Sequence, residues 1–154
     1  MKKTVNESKA EQVHVLTMSN LNGYNRLFGG QLMSWIDEVA AVVARRHASS
    51  NVTTASVDTL DFKKAAHANE TIVIKGKITY AGKTSMEINV KTYVEKLNGE
   101  RILINEAFLI MVALDENENP HQIPELLLLT DEEKQSWNEA LKRKEIRKKR
   151  SLTV

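Results

Sequence analysis

Asp37 is the residue of this sequence whose type and setting speak most directly of chemistry. It falls in the middle of the apolar-periodic run Gly30 to Arg46, on the flank beside Met33, Ala40 and Ala44, while Ser34, Glu38 and Arg45 mark the exposed side. A carboxylate among small apolar neighbours is costly to desolvate, and burial would raise its pKa toward values useful to a general base. The competing reading is a solvent-facing acid on an amphipathic helix. Gly29 and Gly30 come just before that run. With no side chains there, a ligand can approach main-chain N–H groups at the positive end of a helix, where donors could hold the oxyanion of an attacked carbonyl. A plain joint between loop and helix would use the same two glycines.

Asp58 and Asp61 lie in the strand-like run Ser56 to Phe62. Asp is a poor strand former, so two in one strand point to an edge, a bulge or a site, and strict alternation puts them on opposite faces. Asn22 could orient a water or a carbonyl, although its turn-rich setting explains it equally well. His14, His47, His67 and His121 show no metal-ligand spacing, and there is no cysteine. No Gly-x-Ser-x-Gly elbow and no phosphate-cradling loop is present. Carboxylates and backbone donors without a side-chain nucleophile suit hydrolysis by an activated water.

The elements that must position these groups follow from periodicity. Gln12 to Met18 reads as a first strand, and Asn20 to Asn25 has turn chemistry throughout. Leu32, Trp35, Ile36, Val39 and Val43 give the helix its apolar stripe, and Arg45 and Arg46 complement its negative end. The period then switches to two in Thr53 to Phe62, Thr71 to Tyr80, Thr84 to Lys96 and Arg101 to Leu114. Ala81-Gly82-Lys83 and Asn98-Gly99 signal tight turns, so these strands predict an antiparallel meander. One helix cannot cover both faces of five long strands, so the sheet should curl around it and offer its open face and edge to water or another subunit. Thr130 and Glu133 have capping-box spacing and open a last helix, in which Trp137 and Leu141 could touch.

The 154 residues suffice for one domain with a proper core, at 42% hydrophobic and 27% charged residues. The expected division is a folded domain over 8–127 and a C-terminal helix with a basic tail over 128–154. Residues 142–150 hold seven Lys or Arg against one acid, Glu145, so the net charge of +2 belongs to the tail. That tail reads as a solvated helix end. A nucleic-acid arm is the weaker alternative, because aromatic residues are scarce in it and no DNA-reading motif accompanies it. No apolar run approaches a membrane span, Met1 to Ala10 lacks the apolar core of a secretory signal, and the expectation is a cytoplasmic protein.

Together these residues resemble the hot-dog-fold acyl-CoA thioesterases, the branch of brain acyl-CoA hydrolase and its single-domain bacterial relatives. The likeness covers about Gln12 to Pro124. It is sharpest from Asn22 through Phe28-Gly29-Gly30 and Asp37 to His47, and continues in Thr54 to Phe62 and in Gly82-Lys83-Thr84-Ser85. The resemblance implies an α+β hot-dog fold, a long central helix wrapped by a curved antiparallel sheet of about five strands. It implies acyl-CoA hydrolysis without a cofactor or metal. It also implies homodimers joined edge to edge as the active unit, often as trimers of dimers, with each site drawing on two chains. By position Asp37 matches the family's helical acid, Asn22 its loop amide, and Asp58 a strand acid contributed across the interface. Gly29 and Gly30 match the backbone donors, and Lys83, Thr84 and Ser85 the turn near the coenzyme A arm. Either Asp37 or Asp58 could serve as base, and direct attack through an anhydride is equally compatible. The family usually has a Pro soon after the strand Phe, where this chain reads Lys63-Lys64-Ala65-Ala66. A hydratase on the same fold would pair a His with the carboxylate, and Leu21 to Asp37 contains none. A sensing module that binds acyl-CoA without cleaving it is the remaining alternative.

Overall fold

The computed structural model describes residues 1–152. Five strands form one antiparallel sheet in the order β2-β4-β5-β6-β3: β2 (Ala10–Val15), β4 (Thr71–Ala81), β5 (Ser85–Glu95), β6 (Arg101–Leu114) and β3 (Asn51–Phe62). The sheet wraps the long helix α2 (Gly29–Ala48), which buries Leu32, Trp35, Ile36, Val39, Ala40, Val43 and Ala44 against Ile74, Ile78, Met86, Ile88, Val90, Leu109 and Met111. This is the hot-dog arrangement, and it bears out the expected fold class.

The helix can lie this close because Gly76 faces it. A Cβ at Gly76 would stand 2.7 Å from Val39 Cγ1 and 3.1 Å from Val43 Cγ2. The C-terminus of α2 ends on Ser49 in the left-handed conformation, its amide donating to Arg45 O at 2.9 Å. Both predicted turns are present: Gly82 N–H donates to Ser85 O at 2.8 Å, and Gly99, at φ 89°, donates to Lys96 O at 2.8 Å.

Three features depart from the sequence reading. The polar N-terminus is ordered into a short strand β1 (Lys2–Thr4) and one helical turn α1 (Val5–Ser8). β1 pairs in parallel with β7 (Glu125–Leu127), and Val5 is buried. At the head of α3 (Asp131–Leu152), Glu133 N–H donates to Thr130 Oγ1 at 3.1 Å, but the Glu133 carboxylate caps Leu129 N–H. Trp137 packs on Tyr80, ring centroids 4.4 Å apart, and Leu141 stays exposed.

The third departure concerns the basic tail, which is not simply a solvated helix end. α3 lies on the outer face of the sheet, the face turned away from α2. Arg143 reaches Glu87 with Nε at 2.9 Å and Nη2 at 2.8 Å, and Arg147 and Arg150 both engage Asp58. Lys142, Lys148 and Lys149 remain exposed. Trp137, Ala140, Arg143, Lys144 and Arg147 recur at helical spacing, so one face of α3 meets the sheet with a guanidinium-rich half. Among the described residues, no helix is long and apolar enough to cross a membrane.

Candidate active site

Asp37 projects from the middle of α2 toward the edge strand β3, where Thr54 Oγ1 donates to Asp37 Oδ1 at 2.6 Å. As a residue Asp37 is half-buried, but its hydrogen bond to Thr54 lies at the exposed side of the single chain. Thr54 pairs with Met111 in the β3–β6 ladder, which places its hydroxyl on the inner face, within 3.4 Å of Met111 Sδ. A charged acceptor outcompetes a thioether for the single hydroxyl proton. Among the described residues Asp37 Oδ2 has no hydrogen-bond donor, so one carboxylate oxygen is oriented and the other is left to act.

The head of α2 offers backbone donors. Its N-cap is Phe28, which gives no side-chain cap, whereas Ser, Thr, Asp or Asn would ordinarily satisfy the first N–H groups. The loop before it is held by Asn22, whose Oδ1 accepts from Tyr24 N–H at 2.9 Å and Arg26 N–H at 3.2 Å. Asn25 takes φ 60° to close the turn. Asn22 is thus a turn residue through its oxygen, and its amide nitrogen is available to a ligand. A cleft of about 360 Å³ opens beside this loop, lined by Asn22, Leu32 and Phe62 and by the cations Arg26, Lys63 and Lys64. The Lys63–Ala66 segment takes its course without the family's Pro: Lys63 N–H donates to Ile104 O at 2.8 Å, and Leu27 N–H to Ala66 O at 2.8 Å.

The residues singled out in the sequence do not all meet within one chain. Gly30 and Asp37 are seven residues apart on one helix, roughly 10 Å along the axis, so they cannot both touch a single carbonyl. Lys83, Thr84 and Ser85 form the β4–β5 turn at the sheet end shared with Thr53, while Gly29 packs near Phe62 at the opposite end.

Asp58 stands apart from Asp37 altogether. It lies on the outer face with its side chain 5% exposed, held by Arg147 at 3.1 Å and by Arg150. A carboxylate so engaged is turned away from the inner face, where Asp37 lies. A bulge in β3 between Thr54 and Ser56 reverses the alternation and turns Asp58 outward, and a second follows between Val57 and Thr59. Asp61 is an exposed residue of the same strand. Thr54, which sequence reasoning passed over, is the partner that Asp37 has. Its signal was slight, since Thr is an ordinary strand residue.

Strand β3 is one of the two edge strands of the sheet, bonded only to β6, and most of its side chains are exposed, Val57 and Phe62 among them.

Comparison with known proteins agrees with this fold. A family model described as the thioesterase superfamily matches residues 24–99. An uncharacterized acyl-CoA thioester hydrolase of Bacillus subtilis is 39% identical over 145 residues, 94% of this chain and 84% of its own length. The cytosolic acyl coenzyme A thioester hydrolase of mouse is 32% identical over 88% of this chain, which spans only 36% of that longer protein. Among solved structures, an apo-hexameric acyl-CoA thioesterase superposes with a TM-score of 0.93 at 40% identity, covering 97% of both chains. The acyl-CoA hydrolase of Staphylococcus aureus, in complex with butyryl coenzyme A, coenzyme A and coenzyme A disulfide, gives 0.94 at 33% identity, over 99% of this chain and 94% of that one. Alanine variants of the staphylococcal enzyme were made at an asparagine, an aspartate and a threonine, spaced along that chain as Asn22, Asp37 and Thr54 are here. The chain belongs to the thioesterase superfamily, in the branch of the acyl-CoA thioester hydrolases.

Proposed function

We propose that this protein hydrolyses acyl-CoA thioesters to a free carboxylic acid and coenzyme A. Asp37 is the general base toward water, and the main-chain N–H groups of Gly29 and Gly30 hold the developing oxyanion. The observation that carries this reading is the Thr54–Asp37 hydrogen bond on edge strand β3. It fixes one oxygen of the Asp37 carboxylate, so that the other can take a proton from water attacking the carbonyl. The positive end of α2 stabilises the negative charge that forms as the tetrahedral adduct is made. The departing coenzyme A thiolate needs no acid as strong as an alkoxide would. The reaction calls on no metal or cofactor.

The reading requires two chains. Because Gly30 and Asp37 are too far apart along one helix, the oxyanion donors and Asn22 of one protomer serve the Asp37 of its partner across paired β3 strands. The homodimer is then the active unit, and three such dimers make the hexamer, a state known for the similar apo-hexameric thioesterase. The same twofold relation brings the Lys83–Ser85 turn of one chain toward the cations Arg26, Lys63 and Lys64 of the other. That gives the anionic arm of coenzyme A a basic lining. The cytoplasm, where acyl-CoAs are made and used, is the proposed place of action.

The test is release of free thiol from acyl-CoAs of increasing chain length. Wild type should release coenzyme A, and Asp37→Asn should be slower by about 10²–10⁴-fold. Absence of thiol release from every chain length would sink the hydrolase assignment. Full activity of Asp37→Asn would remove the helical acid from the mechanism.

A further inference from the structure

The outer face of the sheet carries a buried ionic array that the hydrolytic chemistry does not use. The Glu87 side chain is 1% exposed, accepts the Thr79 hydroxyl at 2.6 Å, and is gripped by Arg143, whose guanidinium lies 3.7 Å from the Phe108 ring centroid. Arg147 Nη1 bridges the two acids, 3.1 Å from Asp58 Oδ2 and 3.7 Å from Glu87 Oε2, and Arg150 adds a second guanidinium on Asp58. Burial opposes the charge on Arg143, yet the hydrogen bonds and charge of Glu87 outweigh it and raise the Arg143 pKa. Burying several charges is an expensive way to attach a helix, since well-packed apolar residues would hold it at least as well. The array does something that an apolar face could not: it holds one point of β3 through the Asp58 carboxylate.

That point matters to the site. Thr54 and Asp58 are an even number of residues apart, so regular alternation would put them on one face. Instead Thr54 points inward to Asp37 and Asp58 outward to α3. The first bulge makes this possible: the pairing steps from Thr54↔Met111 to Ser56↔Ile110, leaving Ala55 as an extra residue and reversing the alternation before Asp58, and a second step from Val57↔Leu109 to Thr59↔Phe108 leaves Asp58 as an extra residue in turn. A bulged strand bonded on one side only has alternative registers within reach. The residue the arginines hold is itself the extra residue of the second bulge.

We propose that Arg147, supported by Arg150, is a positioning residue for hydrolysis. Through Asp58 it holds the bulged run 54–59 of β3 in the form that sets the Thr54 hydroxyl against Asp37. The C-terminal helix is thereby part of the catalytic apparatus without touching substrate. This inference rests on Asp37 and Thr54 being site residues.

The test is a kinetic double-mutant cycle on the full chain, following coenzyme A release. Arg147→Ala should lower kcat by about tenfold, as small misplacements of a catalytic pair do. KM should stay within about twofold, and Arg147→Lys should recover part of the loss. In a Thr54→Ala background, Arg147→Ala should cost nothing further, because the hydroxyl it positions is gone. If the two losses multiply, Arg147 does not act through Thr54 and the proposal is overturned. It is also overturned if activity falls only in proportion to lost oligomer in sedimentation. Should Arg147→Ala not fold, Asp58→Asn keeps the shape and is carried through the same cycle. Full activity of Asp37→Asn overturns the site reading and this inference with it. An inactive Asp37→Asn beside a fully active Arg147→Ala overturns this inference alone.

Discussion

Thr54 Oγ1 and Asp37 Oδ1, 2.6 Å apart, tie the middle of the central helix to β3, one of the two edge strands of the sheet. Under the proposed function, the base is oriented by the strand through which a second copy is proposed to attach.

Removing the hydroxyl of Thr54 should cost activity without unfolding the chain. A hydrogen bond to a charged group contributes about 1.5–3 kcal/mol, which translates to roughly 10–100-fold in rate if fully expressed in the transition state. Thr54→Ala should show this fall in kcat, and Thr54→Ser, which keeps the donor, should retain most of the rate. Equal loss in both variants would mean that the methyl group, not the hydroxyl, is what matters.

Strand β3 should respond to charge at its exposed apolar position. Val57 is 40% exposed on the edge strand, and Val57→Asp would put a carboxylate where a paired strand would pack. Sedimentation should show weakened self-association, and activity per chain should drop in step. A variant that remains fully associated would shift the contact away from this edge.

Gly76→Ala addresses the core rather than the site. The added methyl would meet Val39 and Val43 of α2 at 2.7 and 3.1 Å, inside a close-packed interior. Overpacking of this kind costs about 1–3 kcal/mol. Urea unfolding should register it, and an unchanged midpoint would show that α2 can shift outward at no cost.

Stability should fall on the acid side through His47. This side chain is fully buried at the end of α2; its Nε2–H donates to Pro124 O at 2.8 Å, and its Nδ1 has no partner in the protein. Burial lowers its pKa below 6.5, although the Pro124 carbonyl and the Glu7 charge pull the other way. A base held neutral in the fold contributes its stability above the unfolded pKa, and that contribution is lost as pH falls below about 6.5 toward the folded value. His14, stacked on Trp35 and likewise lowered by burial, acts in the same direction. The urea midpoint should therefore drop between pH 7.5 and 5.5, and His47→Gln, which keeps a donor for Pro124, should flatten the drop. A His47→Gln slope equal to that of wild type would assign the acid sensitivity elsewhere.

Much of this fold was legible because its elements obey simple periods. The stripe Leu32, Ile36, Val39, Val43 is buried as spacing predicts, and Arg101–Leu114 is a strand with the expected ends. The site was legible only where a residue's neighbours lie on its own element. Asp37 stood out because a helical wheel ranks its surroundings. Thr54 did not, because its value comes from a strand meeting that helix 17 residues away. Asp58 enters the candidate site only through the family resemblance, and no local pattern shows that Arg147 and Arg150 hold it on the outer face. The arginines of α3 were read as solvated because nothing local reveals that Glu87, in a distant strand, lies beneath them. Short β1 and β7 carry too few residues to display any period at all.

Strand β3 runs for 12 residues along an open edge without lysine or proline, so its two bulges and the acids Asp58 and Asp61 are what discourage stray pairing there. A variant that loses these devices should divert into sticky, sheet-rich clumps on heavy overproduction or mild heating.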